Sequence, residues 1–319
     1  MRLVSPPGEA ELAAALDAVA ARLAPTPLVR APGLGEDVWL KLESLQPTGS
    51  FKVRGALAAL SALPGSASVV TASAGNHGLG VAWAATALGR SATVVVPENA
   101  SPAKLAALER FDVALESVGS SYDEAEAHAL SLTAQGAVYV SPYNDPRVIA
   151  GQATIGAEID AALGSSAGDL TVVTPLGGGG LASGLGLWST GRAGGRARVV
   201  AVEAERSQAF RTALDAGAIT PFAPEPTIAD GLGGNLEPGA VTFELVRDHV
   251  DTVLASPEPE IEDAIRVLAS SAGVVAEGAA ACAAAAVLAG RVRAPGTLVL
   301  VVTGRNIARA RLAEVLGAG

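Results

Sequence analysis

The sequence predicts an α/β chain of two lobes built on parallel-rich sheets. Three observations carry this expectation. Short apolar runs at 69–72, 92–96, 113–118, 170–174, 198–203 and 297–302 alternate with segments of helical periodicity, as strands joined by crossover helices do. The runs fall into two groups, one closing at 138–140 and the other opening at 170. Three small-residue turns, at 73–78, 177–180 and 303–306, follow such runs, where ligands bind in open parallel sheets.

In chain order, 9–23 sets Leu12, Leu16, Val19 and Leu23 on one stripe and predicts an amphipathic helix, stopped by Ala24-Pro25-Thr26-Pro27. Residues 38–42 alternate and read as a strand. Lys52 follows a Gly-Ser turn and opens an apolar helical segment, 53–60. After the strand at 69–72 and its turn, a helix runs to about 87. A strand at 92–96 precedes Ser101-Pro102, a cap residue with proline at the first helical position. A strand at 113–118 precedes Ser121 and Glu124, spaced as a capping box. In the second group, helices are expected at 148–163, after the glycines of 177–180, at 207–216, 261–273 and 277–291, and after 306, with a proline-rich loop at 221–226.

Composition excludes several functions. Half of the 319 residues are hydrophobic, enough for a large core, but aromatics are only 3%, so that core is mostly Ala, Val and Leu. A net charge of −10 argues against a nucleic-acid partner. No apolar run is long and clean enough to span a bilayer, and no cleavable leader is apparent, so a cytoplasmic protein without a membrane partner is expected. Cys282, the single cysteine, sits in an alanine-rich run and reads as a small buried residue. The three histidines and the cysteine lack metal-ligand spacing, and His128 and His249 are expected on polar faces without partners.

The chemistry starts at Lys52. An amine at a helix start and half withdrawn from water is pushed toward its neutral form, which can attack a carbonyl. Taken alone, Lys52 reads as a solvated helix start. Gly177 to Gly180, four glycines between a strand and a helix, can close backbone N–H groups around a phosphate. A rival reading is a nicotinamide site, since Gly177, Gly179 and Ala182 fit G-x-G-x-x-G/A and Glu203 ends the next strand. That reading leaves Lys52 and the turn at 73–78 unexplained. The latter turn offers donors for a carboxylate. An activatable lysine, a phosphate cup, a carboxylate cup and a hydroxyl at Thr303 are together what pyridoxal phosphate needs.

The joint pattern resembles the fold-type II pyridoxal-phosphate enzymes, in the branch of serine/threonine dehydratases and serine racemases. It is carried by Lys41-Leu42-Glu43, PTGSFKVRGA at 47–56, SAGNHG at 73–78, DPRVIAGQATIGAE at 145–158, GGGGL at 177–181, IADG at 228–231, Glu277-Gly278 and TGRN at 303–306. The resemblance implies the two-lobed architecture of the tryptophan synthase β-like enzymes. A large cofactor-binding domain would hold 1–43 and 146–319, with a small inserted α/β domain at 44–145. It implies that Lys52 carries the cofactor, Phe51 flanks its ring and Asn76 meets its 3-hydroxyl oxygen. Gly177, Gly178, Gly179, Gly180 and Leu181 would take the phosphate, and Thr303 the ring nitrogen. Ser73, Ala74, Gly75, Asn76 and His77 would surround the substrate carboxylate.

The implied activity is dehydration and deamination of a β-hydroxy amino acid such as L-threonine or L-serine to a 2-oxo acid and ammonia, by a homodimer. Alternatives are a serine racemase-type isomerase or β-replacement enzyme, or a non-catalytic phosphate or nucleotide binder. Three departures shape the expectation. Ala74 stands where racemases of the branch place a second serine, so racemisation should be weak. Ala209 stands where the branch's cation site has a second carboxylate beyond Glu203, so no metal is expected. Thr303 and Arg305 replace the commoner serine and glycine, and Arg305 is expected near the cofactor.

Overall fold

The computed structural model describes residues 4–164, 168–193 and 195–317. Among the described residues, ten strands form two sheets. The strands are β1 (Leu28–Arg30), β2 (Val38–Lys41), β3 (Val69–Ala72), β4 (Ala92–Val96), β5 (Ala114–Ser117), β6 (Val138–Tyr139), β7 (Leu170–Pro175), β8 (Arg198–Ala204), β9 (Thr252–Ser256) and β10 (Thr297–Val301). One sheet has the order β1-β2-β10-β7-β8-β9 and the other β5-β4-β3-β6. Every pairing is parallel except β1 with β2. The helices are α1 (Glu9–Ala20), α2 (Lys52–Ser61), α3 (Asn76–Leu88), α4 (Pro102–Leu108), α5 (Tyr122–Ser131), α6 (Pro146–Leu163), α7 (Gly180–Gly191), α8 (Ala209–Ala216), α9 (Val241–His249), α10 (Glu258–Ala272), α11 (Gly278–Leu288) and α12 (Arg309–Gly317).

Alternation along the central strands sends side chains into a core on each face. Leu300 and Val173 join the alanines of α11, including the buried Cys282, whereas Val299, Val301 and Val172 join Ile155, Ile159 and Leu185 from α6 and α7. In the smaller sheet, Val69 faces Val53, Leu57 and Leu60 of α2, while its neighbour Val70 faces Ala125 and Ala129 of α5. The scarcity of aromatics is thus met by closely approaching helices. At Gly55 and Gly151 the backbones of α2 and α6 leave no room for a side chain: a Cβ on Gly151 would lie 2.6 Å from Gly55 Cα. Gly80 of α3 sits against the Lys52 peptide, its notional Cβ 3.1 Å from the Lys52 carbonyl oxygen. Gly80→Ala is expected to force the two helices apart and cost about 1–3 kcal/mol. A urea-unfolding midpoint unchanged from wild type would contradict that packing.

Several expectations needed correction. Val19 and Leu23 of the predicted stripe are buried, but Leu16 is 41% exposed and Ala15 is buried in its place, because only a narrow stripe of α1 meets α2 and α6. Alternation in β2 breaks at Lys41, whose amine is buried with the Thr26 carbonyl and the Glu158 carboxylate as partners. β1, α9 and β9 went unread: the two strands are sheet edges, and α9 is a short helix with charges on its outer side. Helix α8 starts at Ala209, after Ser207, because Glu203 caps it. The histidines also have partners: His128 Nε2 lies 2.8 Å from Glu116, and His249 Nδ1 lies 3.0 Å from the Thr190 hydroxyl.

Candidate active site

The turn before Lys52 is zipped to the turn after β10. Phe51 N–H donates to the Thr303 carbonyl at 2.9 Å, Arg305 N–H to the Gly49 carbonyl at 3.0 Å, and Asn306 Nδ2 to the Thr48 carbonyl at 2.9 Å. Gly49 has φ +75°, and a Cβ there would lie 2.5 Å from Asn306 Oδ1, so glycine is required. Two predicted site segments, far apart in sequence, are therefore held together by backbone. Lys52 is the first residue of α2. Its Nζ donates to the Pro142 carbonyl at 2.8 Å and sits 5.2 Å from the centre of the half-buried Phe51 ring. Burial pushes the amine down from 10.5 to about 8, with Glu277 opposing the shift.

That shift has a measurable sign. Only the neutral amine attacks an aldehyde, and its fraction rises with pH until the amine has titrated. The rate at which the cofactor-free protein captures pyridoxal phosphate should therefore climb with pH and level off above about 8. A midpoint near the ordinary 10.5 would refute the desolvated setting of Lys52.

Pro142 leads to the glycine turn. Its neighbour Tyr143 packs beneath that turn, so a Cβ on Gly178 would lie 2.3 Å from the Tyr143 ring, and one on Gly180 3.0 Å from Tyr143 Cα. Gly179 has φ +87° and faces Phe210 and Thr242, and the Thr242 hydroxyl donates to the Gly178 carbonyl at 2.8 Å. The first helical bond of α7 runs from Ser183 N to Gly179 O. The N–H groups of Gly180, Leu181 and Ala182 are therefore left without intrahelical acceptors. This cradle, closed to any side chain and lined by backbone donors at a helix start, fits a phosphate. Ser50 and Ser183 carry buried hydroxyls without partners, as does His77 at Nδ1; Ser50 precedes Lys52 by two residues and Ser183 lies in the first turn past the cup.

The turn at 73–78 opens α3. Ser73, Ala74, Gly75 and Asn76 are half-buried, and Gly75 N–H donates to Ser73 Oγ at 3.1 Å. Gly78 must be glycine, for a Cβ would come within 2.1 Å of the Ser73 carbonyl oxygen. His77 is the second residue of α3. Its ring is buried, Nε2 donates to the Val140 carbonyl at 3.0 Å, and burial, reinforced by Lys52, pushes its pKa down to about 3. Nδ1 of that neutral ring is an acceptor, and a carboxylate accepts only. His77 can serve a carboxylate through its backbone N–H at the helix start, with the ring held as a neutral prop.

Sequence reasoning quoted Glu277 without giving it a role. It is 7% exposed and accepts from Asn76 Nδ2 at 2.8 Å and from Asn306 N–H at 3.0 Å. Asn306 Nδ2 in turn donates to Asn76 Oδ1 at 2.6 Å, leaving Asn76 one amide hydrogen for a ligand oxygen. Burial and Asp230 raise the Glu277 carboxyl to about 7. Thr303, 2% exposed, follows the end of β10, and Arg305 is exposed. Pro142 and Tyr143 were also missed; their only signal was a turn between a strand and the Asp-Pro start of α6. The nucleotide reading fails at Glu203, whose two oxygens accept from Phe210 N–H and Arg211 N–H at 2.8 and 3.0 Å. That carboxylate caps α8 and is 1% exposed, out of reach of a ribose hydroxyl.

Residues 19–304 match the family of pyridoxal-phosphate-dependent enzymes. The chain is 42% identical to the L-threonine ammonia-lyase of Thermotoga maritima over 278 residues, covering 86% of this chain and 68% of that protein. It is 34% identical to the catabolic L-threonine dehydratase TdcB of Escherichia coli over 288 residues, 88% of this chain and 86% of that one. Among solved structures, the processed form of threonine deaminase isoform 2 from Solanum lycopersicum superposes with a TM-score of 0.85 at 29% identity, covering 99% of this chain and 92% of that one. Maize serine racemase gives 0.88 at 27% identity, with 98% of both chains covered. Its fold and the family match along most of its length make this chain a fold-type II member of the pyridoxal-phosphate-dependent enzymes, with pyridoxal phosphate as its cofactor.

Proposed function

We propose that the protein is a threonine/serine ammonia-lyase, converting a β-hydroxy amino acid such as L-threonine or L-serine to a 2-oxo acid and ammonia. The observation that carries this is the half-buried Lys52 amine, joined through Pro142 and Tyr143 to the glycine cup and through Phe51 to Thr303. The relatives named for threonine ammonia-lyase and threonine dehydratase activity support the substrate class.

When bound, pyridoxal phosphate withdraws electrons from the Cα of an attached amino acid and makes its proton acidic. In this reading Gly177 to Gly180 and Leu181 hold the phosphate, Asn76 offers its remaining amide hydrogen, and the Thr303 hydroxyl serves the ring nitrogen. A neutral hydroxyl there, in place of a carboxylate, would leave the ring less electron-withdrawing, which suits elimination over transamination. The N–H groups opening α3, with Ser73 and Ala74 beside them, orient the substrate carboxylate. Lys52 Nζ, once displaced, is neutral enough near pH 8 to take the Cα proton. The Cα proton and the β-hydroxyl together would leave as one water, and one water taken up again in hydrolysis would release the 2-oxo acid and ammonia.

Ala74 supplies no hydroxyl to return a proton on the opposite face, so D-serine should be a minor product. The two separate sheets support a division into 1–43 with 146–319 and 44–145. We further propose a cytoplasmic homodimer; no helix among the described residues is long and apolar enough to cross a membrane. Equal amounts of 2-oxo acid and ammonia from a panel of L-β-hydroxy amino acids would support the activity. Product from none of them, with cofactor fully bound, would end it.

A further inference from the structure

Two residues after Lys52, on the opposite side of α2, Arg54 is wholly buried. Its guanidinium has five N–H donors, and five hydrogen bonds are formed. Nε and Nη2 grip the Glu43 carboxylate at 2.7 and 2.8 Å. Nη1 and Nη2 grip Glu158 of α6 at 2.6 and 2.7 Å, and Nη1 also reaches the Thr154 hydroxyl at 3.2 Å. Both carboxylates are themselves supported. Glu43 accepts from the Thr26 hydroxyl at 2.5 Å and from Gln46 at 3.3 Å. Glu158 accepts from Lys41 Nζ at 2.5 Å and from Thr26 N–H at 3.1 Å. Lys41 is buried at the end of β2, and Glu158 is 15% exposed.

Four charges, two of each sign, are thus withdrawn from water in one cluster. Such a group is costly to bury and adds little net stability compared with apolar packing, so its presence calls for a second reason. Geometry supplies one. Successive residues of an α-helix are about 100° apart, so side chains two apart point to roughly opposite sides. The Arg54 clamp grips the back of α2 from α6, from the end of β2 and from the segment before β1. Lys52 projects from the front toward Pro142. Turning α2 about its axis would re-aim the amine, and the same turn would break a forked pair on each of two carboxylates. Glycine contacts at Gly55 and Gly80 fix the distance of α2 from its neighbours but place no polar lock on its rotation.

We propose that Arg54, held by Glu43 and Glu158 and backed by Lys41, is a positioning residue that sets the rotation of α2 and thereby aims Lys52 Nζ. The proposal rests on the reading of Lys52 as the cofactor-bearing lysine. It assigns no chemical step to Arg54, whose guanidinium is taken up by Glu43, Glu158 and Thr154.

Arg54→Lys keeps the charge but loses the fork, and Glu158→Gln is the milder second variant. Each is purified with pyridoxal phosphate and assayed well below its unfolding temperature. Four properties are read: cofactor content after borohydride reduction, visible circular dichroism of the bound cofactor, kcat and KM. Retained cofactor, an altered visible dichroism band and a kcat lower by about 10–100-fold with KM within about threefold are expected, the scale of a small misplacement of a reacting group. Glu158→Gln should show the same pattern more weakly. An unchanged dichroism band and kcat within about twofold of wild type in a folded variant, with only the unfolding temperature lowered, would overturn the proposal. If Arg54→Lys does not fold, Glu158→Gln decides by the same criteria. Wild-type protein with no borohydride-fixed cofactor would instead strike the reading of Lys52, and the two failures are distinguishable.

Discussion

Lys52→Ala is expected to lower kcat/KM on L-threonine by about 10³-fold or more, equivalent to about 4 kcal/mol of transition-state stabilisation. The loss combines two functions of one atom. In the proposed reading Nζ captures the cofactor aldehyde as a nucleophile and also serves as the base that takes the Cα proton. The neighbours offer no substitute. The His77 ring is pushed down to about 3 with Nε2 occupied by Val140, and Glu277 is engaged by Asn76 and Asn306. The variant should still bind pyridoxal phosphate at the glycine cup, without a borohydride-stable attachment. Restoration of part of the rate by a small exogenous amine would separate a missing base from a disturbed fold, because α2 begins its helix from backbone contacts that alanine keeps. Wild-type ammonia release from the purified variant would remove Lys52 from the mechanism.

How much of this was legible in the sequence depends on whether local chemistry or tertiary contact fixes a feature. The buried parallel strands β3, β4, β7 and β10 were readable because apolar runs of their length, bounded by small residues, have few other uses. Ser101 and Ser121 cap α4 and α5 as the spacing suggested, by accepting from Lys104 N–H and Glu124 N–H. β1 and β9 could not be read, since an edge strand takes its order from a neighbour. The start of α8 was misplaced for a similar reason: its cap comes from Glu203, at the end of β8.

In the site, Lys52 and the four glycines were legible because their chemistry is local: an amine at a helix start, and a turn that tolerates no side chain. Glu277, Tyr143 and the Arg54 clamp were not. Tyr143 is an ordinary residue until the fold sets it under Gly178, and Arg54 has no partner legible in the sequence until Glu43 and Glu158 close on it. The ring of His77 shows the converse. Its place in the turn at 73–78 is plain from the sequence, but burial and the Val140 carbonyl decide which of its atoms remain available.

The glycine cup gives the second large effect, and its cause can be separated from general disruption. Gly178→Val places branched carbon where even a Cβ would lie 2.3 Å from the Tyr143 ring. The ring cannot retreat freely, because the Tyr143 hydroxyl accepts from Glu237 N–H at 2.8 Å and Asn144 Nδ2 donates to the Glu237 carboxylate at 3.0 Å. The turn must therefore move outward, and the N–H groups of Gly180, Leu181 and Ala182 lose their common focus. Affinity for pyridoxal phosphate should fall by about 100-fold, or about 2.7 kcal/mol, measured by fluorescence titration of the cofactor-free protein. Overpacking would add about 1–3 kcal/mol of lost stability. Pairing the change with Tyr143→Ala relieves the clash. If the steric account holds, the double variant binds the cofactor more tightly than Gly178→Val alone, although Tyr143→Ala by itself weakens binding. Equal or weaker binding by the double variant would mean that Gly178 serves the phosphate through backbone freedom and not through its fit against the ring.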